Sequence, residues 1–256
     1  MIYITGDTHG SFGKFNLEFF PEQEELTKND YVIICGDFGI WDNSERERIN
    51  FDDLEAKNYT TLFVDGNHEN FDLLNNYPVE KWRGGDVHFI RPSVIHLMRG
   101  NVFVIDGKKF FTMGGASSHD IQDGILDPKD PNFKKNKKKL EREGKYYYRI
   151  KGVTWWEDEL PKEDEIDKAK KTLESCNWKV DYIISHCAPF SLMERCFGYS
   201  DDNRLTRFFD EVSEKCEFTH WFFGHYHENY MLGDKFFLLY EKIFEMPEEL
   251  VIPNEE

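Results

Sequence analysis

Short apolar runs that stop at a glycine set the rhythm of this chain. Residues 2–5 (Ile2, Tyr3, Ile4, Thr5) read as a strand that Gly6 ends, and the run 31–35 reads as a fully apolar strand ending at Gly36-Asp37. A third strand, 61–64, stops one residue before Gly66. Between the first two, Phe12, Phe15, Phe19 and Phe20 predict a helix packed by an aromatic face as far as Pro21. Between the second and third, Ser44 with Glu47 three residues on has the form of a capping box opening a helix toward Asn58. The opening seventy residues therefore read β-α-β-α-β, the pattern of a parallel sheet with right-handed crossovers.

The pattern then changes. Short strands at 87–90, 94–98, 102–105 and 110–113, separated by Arg-Pro, Gly-Asn and Asp-Gly turns, predict an antiparallel meander that starts a second sheet and ends at Gly114-Gly115. From 117 to 150 the periodicity weakens, and the stretch reads as a surface excursion carrying a basic run at 134–145. Trp155-Trp156-Glu157-Asp158-Glu159-Leu160-Pro161 opens a helix with Ile166, Ala169, Leu173 and Cys176 on one face. A strand at 180–185 ends in His186. A helix bearing Leu205, Phe208, Phe209, Val212 and Cys216 follows, and a strand at 219–223 ends in Gly224-His225-Tyr226-His227. A closing strand at 235–240 completes one domain over 1–246, with an acidic tail over 247–256.

Composition narrows the class. At 256 residues the chain can bury a sizeable core. No apolar run nears the ~18 residues that span a bilayer, so no membrane partner is expected. The first residues enter a strand without a basic leader, which makes the cytoplasm the expected compartment. The five cysteines form no C-x-x-C pair and read as reduced thiols, neither a disulfide framework nor a thiolate zinc site. A net charge of −17 disfavours broad nucleic-acid binding. Nothing in the pattern specifies an oligomer.

Five strand ends carry the chemistry: Asp7-Thr8-His9, Asp37, Asn67-His68-Glu69, His186 and His225-Tyr226-His227. Loops at strand ends on one edge of an open α/β sheet are where such folds build a site. Asp7, His9, Asp37, Asn67, His186, His225 and His227 supply two carboxylates, one amide oxygen and four imidazoles. That mixed N/O set suits borderline divalent metals, Mn²⁺ foremost, with Fe, Zn, Ni or Co as alternatives. Seven ligands suit two ions with one carboxylate bridging. Two ions about 3.5–4 Å apart can hold a bridging hydroxide and clamp a phosphoryl oxygen for in-line attack. His68 is left over in the ligand count and becomes the candidate general acid.

The order Asp-x-His, Gly-Asp, Gly-Asn-His-Glu, His, Gly-His-x-His resembles the calcineurin-like metallophosphoesterases across residues 2–230. The resemblance implies a four-layer α/β/β/α sandwich of two mixed sheets with a dinuclear site. It implies one ion held by Asp7, His9, Asp37 and His227, and the other by Asp37, Asn67, His186 and His225, with Asp37 bridging and His68 catalytic. After Gly36-Asp37 this chain has Phe38-Gly39-Ile40-Trp41 rather than the Asp-Arg-Gly of the Ser/Thr protein phosphatases, and that argues against protein-phosphatase activity. The Gly114–Asp120 stretch and Trp155-Trp156 instead resemble a bacterial and phage-type branch. The expected function is hydrolysis of a phosphomonoester or phosphodiester on a small phosphorylated substrate. A nuclease or nucleotide phosphodiesterase, resting on the lysine run, and a non-catalytic metal-binding scaffold are the alternatives.

Other polar residues have plainer readings. His88, His96 and His220 lie in strands and read as sheet-face residues. Cys187 reads as packing. Glu69 either steadies a ligand by hydrogen bonding or caps the segment after it. His119 and Asp120 are candidate substrate contacts in a loop, set against a solvated loop histidine. Trp155-Trp156 either lines a groove or packs. The lysine run either meets a polyanion or forms a solvated helix.

Overall fold

The computed structural model describes residues 1–246; the acidic tail expected at 247–256 lies outside the described residues. Strands β1 (Ile2–Thr5), β2 (Tyr31–Ile34), β3 (Thr60–Phe63), β4 (Val79–Trp82), β5 (Gly85–Arg91) and β6 (Val94–Leu97) build most of one sheet. Strands β7 (Asn101–Ile105) and β8 (Lys108–Met113) begin a second. The chain continues through β9 (Gly124–Leu126), β10 (Tyr148–Ile150), β11 (Tyr182–Ser185), β12 (His220–Phe223), β13 (Tyr230–Leu232), β14 (Phe236–Leu238) and β15 (Phe244–Glu245). The first sheet runs β15-β1-β2-β3-β6-β5-β4, the second β13-β14-β12-β11-β8-β7, and β9 and β10 form a separate pair. Both large sheets are mixed, each with a parallel centre: β1, β2, β3 and β6 in one, and β8, β11, β12 and β14 in the other.

Strand alternation explains the layering. In β1 and β2, Ile2, Ile4, Tyr31 and Ile33 face the second sheet, where they meet Tyr182, Ile184 and Phe222 in one buried cluster. Tyr3, Val32, Ile34 and Phe63 point to the opposite face, against Phe51 and Leu54 of helix α1 (Glu45–Glu55). Ile183, Trp221 and Phe223 point outward on the second sheet, toward residues of the later helices. These include α4 (Glu163–Ser175), α5 (Phe190–Phe197) and α6 (Arg204–Lys215). Strands buried on both faces must be apolar throughout, which is why the runs show no polar alternation. Helix, sheet, sheet and helix form the four expected layers of a single mixed α/β domain.

Several local expectations are corrected. The aromatic segment before Pro21 forms no α-helix; it holds a 3₁₀ turn at Gly13–Phe15, with another at Pro21–Glu25. Phe15 and Phe20 are buried while Phe19 is 65% exposed, so the aromatics anchor separate turns rather than one face. Gly13 inside the run weakens a helix, and burial of individual rings overrides the spacing. The four-strand meander is divided: β5 and β6 complete the first sheet, and β7 and β8 open the second. The crossing falls at Met98-Arg99-Gly100, where Gly100 takes a positive φ of 69°. Helix α4 starts at Glu163, and Glu157–Glu159 is a separate 3₁₀ turn. The capping box at α1 is half formed. Ser44 accepts from the Glu47 N–H, but the Glu47 carboxylate accepts from the Trp41 and Asp42 N–H groups.

The excursion at 117–150 is structured. It contains β9, helix α3 (Phe133–Arg142) and β10. Helix α3 buries none of its residues, and Lys137 and Lys139 pair with Glu141 and Glu143 one turn on. The remaining short helix, α2 (Phe71–Leu74), is capped by Asn70. Among the described residues, no helix is long and apolar enough to cross a membrane.

Candidate functional site

Six strands of the two sheets, β1, β2, β3, β8, β11 and β12, deliver their C-terminal ends to the same edge of the sandwich. Asp7, Asp37, Asn67 and His186 are buried there; His9, His68 and His225 are half-buried, and His227 is exposed. The site therefore has a dry floor and a wet rim.

Glycine makes the convergence sterically possible. A Cβ at Gly66 would strike Asp37 Oδ1, one at Gly224 would strike Asp7 Oδ1, and one at Gly36 would strike the His186 ring. Each glycine preceding one candidate ligand thus clears space for a ligand from another strand. The turns themselves are constrained. His9, Asp37, His225 and His227 all hold positive φ, at 48°, 46°, 72° and 54°. That conformation is costly for residues with a Cβ and gathers at functional sites.

Each floor residue is fixed on one side only. Asp7 Oδ1 accepts from the His225 N–H at 2.9 Å, and Asp37 Oδ1 from the His68 N–H at 2.8 Å. The His186 ring meets the Cys35 carbonyl through Nδ1 at 2.8 Å, leaving Nε2 at 3.2 Å from Asn67 Oδ1 and 3.3 Å from Asp37 Oδ1. The Asn67 amide nitrogen points the other way, to Ser118 Oγ at 3.4 Å. Ser118 is held in turn by Glu159, whose buried carboxylate accepts from its N–H at 3.1 Å and its hydroxyl at 2.6 Å. This chain of contacts orients the amide oxygen toward His186.

The opposite sides of these groups face one another. Asp7 Oδ2 is buried and satisfied by no aligned hydrogen bond among the described residues; His227 Nε2 lies 3.1 Å away and His9 Nε2 3.7 Å. His9 Nε2 and His227 Nε2 are 3.0 Å apart, and His9 Nδ1 is 3.7 Å from Asp37 Oδ2. Two ligand-type triads result: Asp7, His9 and His227, and Asp7, Asp37 and His186. Asp7 approaches His186 only at Nδ1, 3.9 Å away, the nitrogen already engaged by Cys35. Asp37 meets His186 through the free Nε2 and approaches His9 with its other oxygen, while Asp7 is common to both triads. An orphaned buried oxygen among imidazole nitrogens is costly unless a cation completes it. The donor set fits divalent ions.

The electrostatics agree. Burial alone would push the Asp37 carboxyl up and the His186 imidazolium down. The attraction between them overcomes it, holding Asp37 well below the carboxylate range and His186 well above the imidazole range. The floor demands positive charge. Burial instead pulls His225 well down, and it also lowers His68 against the opposing pull of Asp37.

The structure brings His68 and His225 to the same cluster by their rings. His68 lies 5.4 Å from the His9 ring and 6.3 Å from that of Trp41, and His225 lies 4.9 Å from that of His186. His119 also reaches it, with Nε2 2.7 Å from His225 Nε2. Asp120 does not; its carboxylate is clasped by Arg149. His88 and His96 form a buried line away from the cluster, His96 Nε2 at 3.1 Å from Asp65 Oδ1. Asp65 also takes two N–H groups of Arg99, which ties the corner between the sheets to the end of β3.

Sequence reading missed Lys14, Ser118, Glu159 and Arg149. Lys14 donates to Thr5 Oγ1 and to the carbonyls of Gly6, Asp7 and Tyr240, bracing the Asp7 turn from behind; burial brings its pKa to about 8. No motif marks these residues: Ser118, Glu159 and Arg149 find partners far along the chain, and Lys14 reaches back to the Thr5–Asp7 turn and across to Tyr240. Glu69 acts through hydrogen bonds. Its carboxylate accepts from the N–H groups of Phe38, Gly39 and Ile40, binding the loop after Asp37 to the Asn67-His68 turn.

The family model for calcineurin-like phosphoesterases matches residues 1–229. A comparison with curated proteins gives no match.

Proposed function

Because this chain belongs to the calcineurin-like phosphoesterase family, we propose that it hydrolyses a small phosphomonoester or phosphodiester with two divalent cations. The family binds divalent metals and acts as a hydrolase. In this reading Asp7, His9, Asp37 and His227 hold one cation. Asp37, Asn67, His186 and His225 hold the other, and Mn²⁺ is the first choice for both. When bound, such cations neutralise phosphoryl oxygens and lower the pKa of the attacking water.

The observation that carries the proposal is Asp7 Oδ2, a buried carboxylate oxygen left without a hydrogen bond among the described residues and facing the imidazoles of His9 and His227. The residues of this chain do the rest. The N–H groups of His68 and His225 keep the two carboxylates aimed inward. Ser118 and Glu159 keep the Asn67 oxygen turned to the cluster. His68, beside the cluster but outside the ligand set, gives a proton from its ring to the leaving oxygen.

A cavity of about 840 Å³ opens beside Asp7 and His9, with Lys14, Phe20, Tyr240 and Phe244 among its walls. Glu22, Glu241 and Glu245 outnumber Lys14 and Lys242 there, which favours a compact leaving group over a polyanionic chain. The paired lysines of α3 add little to the nuclease alternative.

The test is hydrolysis of paired aryl phosphate monoester and diester substrates on chelator-stripped protein, with Mn²⁺ added back. Restored activity with one ester preferred is expected. His68→Asn should keep two ions per chain and lose about 10²-fold or more in kcat. Full activity in that variant would remove His68 from the acid role, and silence with two ions bound would return the non-catalytic scaffold.

A further inference from the structure

β9 and β10 pair in parallel, with Arg149 opposite Ile125, and this brings Arg149 back to the loop that leaves β8. Its Nε donates to Asp120 Oδ1 at 2.9 Å and its Nη2 to Asp120 Oδ2. Nη1 donates to no acceptor among the described residues, and the side chain is 23% exposed. The clasp sits one step from the cluster. Asp120 follows His119, which touches His225, and Ser118, which takes the Asn67 amide. His119 and Ser118 thus tie the loop that carries Asp120 to the cluster beside His68.

Lys14 and Arg99, two other cations near the site, are already engaged, whereas Arg46 and Lys242 line cavities that border His9 on other sides. Lys14 donates to four protein oxygens behind the Asp7 turn. Arg99 is buried on Asp65 and on the Asp158 carbonyl. The loop bordering His68 on its other side is Phe38-Gly39-Ile40-Trp41, with no cationic side chain. A phosphoryl group in transfer spreads charge over three oxygens and needs donors for each. Arg149 combines an unused N–H group of its fork with a place one step from His119 and Ser118, which suits that geometry.

We propose that Arg149, delivered by the β9–β10 excursion, grips a non-bridging phosphoryl oxygen of the substrate, with Asp120 as its positioning residue. The proposal rests on the phosphoesterase reading above. The excursion is then part of the site, and substrates are selected by how they fit beneath it.

The test compares Arg149→Ala, Arg149→Lys and Asp120→Asn as metal-loaded proteins. Inorganic phosphate binding is measured by calorimetry, aryl ester hydrolysis by kcat and KM, and metal content per chain confirms an intact cluster. Arg149→Ala should weaken phosphate binding and lower kcat/KM by about 10²-fold or more. Asp120→Asn keeps the guanidinium and should cost about 10-fold or less. Arg149→Lys should fall between, because a point charge replaces the fork. Equal losses in Arg149→Ala and Asp120→Asn would mean a latch that only pins the excursion, and would overturn the assignment. So would Arg149→Ala binding phosphate as tightly as the parent while the parent remains active. A fully metal-loaded parent that neither binds phosphate nor cleaves either ester would overturn the phosphoesterase reading as well.

Discussion

The floor and the rim of the candidate site are built differently. On the floor, Asp7, Asp37, Asn67 and His186 are out of water, and each is held by a protein partner on its outer side: the His225 N–H, the His68 N–H, Ser118 and the Cys35 carbonyl. On the rim, His9, His225 and His227 stand on positive-φ turns within reach of water, the rings of His9 and His227 meeting each other and His225 meeting His119. A desolvated polar group must be satisfied, so the floor fixes its groups closely and leaves one open side for a cation. A hydrated group carries no such demand, and the rim is free to differ in what it admits. On the reading proposed above, floor and rim hold the ions together, the floor fixing their position, while the excursion above bears on the choice of substrate.

That contrast can be broken by substitution. Asp37→Ala removes the carboxylate proposed to bridge the two ions and should abolish binding of both, lowering activity by about 10³-fold or more. His227→Ala, on the exposed rim, should weaken one ion by about 10- to 100-fold and change stability by less than about 1 kcal/mol. Metal analysis beside thermal melts separates the two. If His227→Ala emptied both sites, the division into floor and rim would be wrong.

A smaller effect should follow from Glu159→Gln, which disturbs Ser118 and through it the Asn67 amide. Metal affinity should fall by about 10-fold with the fold intact, read by competition with a chelating dye. Unchanged affinity would mean that Asn67 is oriented without Ser118.

The smallest effect concerns stability away from the cluster. Burial, reinforced by the neighbouring His96, brings the His88 pKa down to about 4, although Asp65 pulls the other way. Below its ordinary value of 6.5, the unfolded chain takes up a proton that folded His88 refuses. The stability from neutral His88 is therefore complete above pH 6.5 and declines as pH falls toward 4. Denaturant melts should show a loss of about 1–2 kcal/mol over that window, flattened in His88→Asn. The same slope in both proteins would assign the loss to other groups.

Much of this was legible before any coordinates. Four of the five strand ends obey a local rule: a β-branched or aromatic run, a glycine where the chain must bend, then Asp, Asn or His; His186 follows Ser185 instead. Gly36-Asp37 and Gly224-His225-Tyr226-His227 announce themselves because the bend and the side chain are neighbours in sequence. The sandwich was legible for the same reason, since apolar strands without polar alternation must be covered on both faces. The aromatic turns before Pro21 were misread because 3.6-residue spacing is also what separately anchored rings can produce.

What the residues could not announce were the partners. Whether 94–98 joins the strands before it or those after it depends on pairing with Thr61–Phe63, some thirty residues away. Arg149 finds Asp120 across twenty-nine positions, and Glu159 finds Ser118 across forty-one. The sequence alone determined which side chains could bind a cation and where the backbone would turn to present them, because propensity and steric freedom are properties of neighbouring residues. Only the tertiary structure decided which oxygens lose their water, which nitrogens face them, and where Arg149 comes to rest beside the site. Burial and long-range pairing arise when distant strands pack, and no local pattern encodes them.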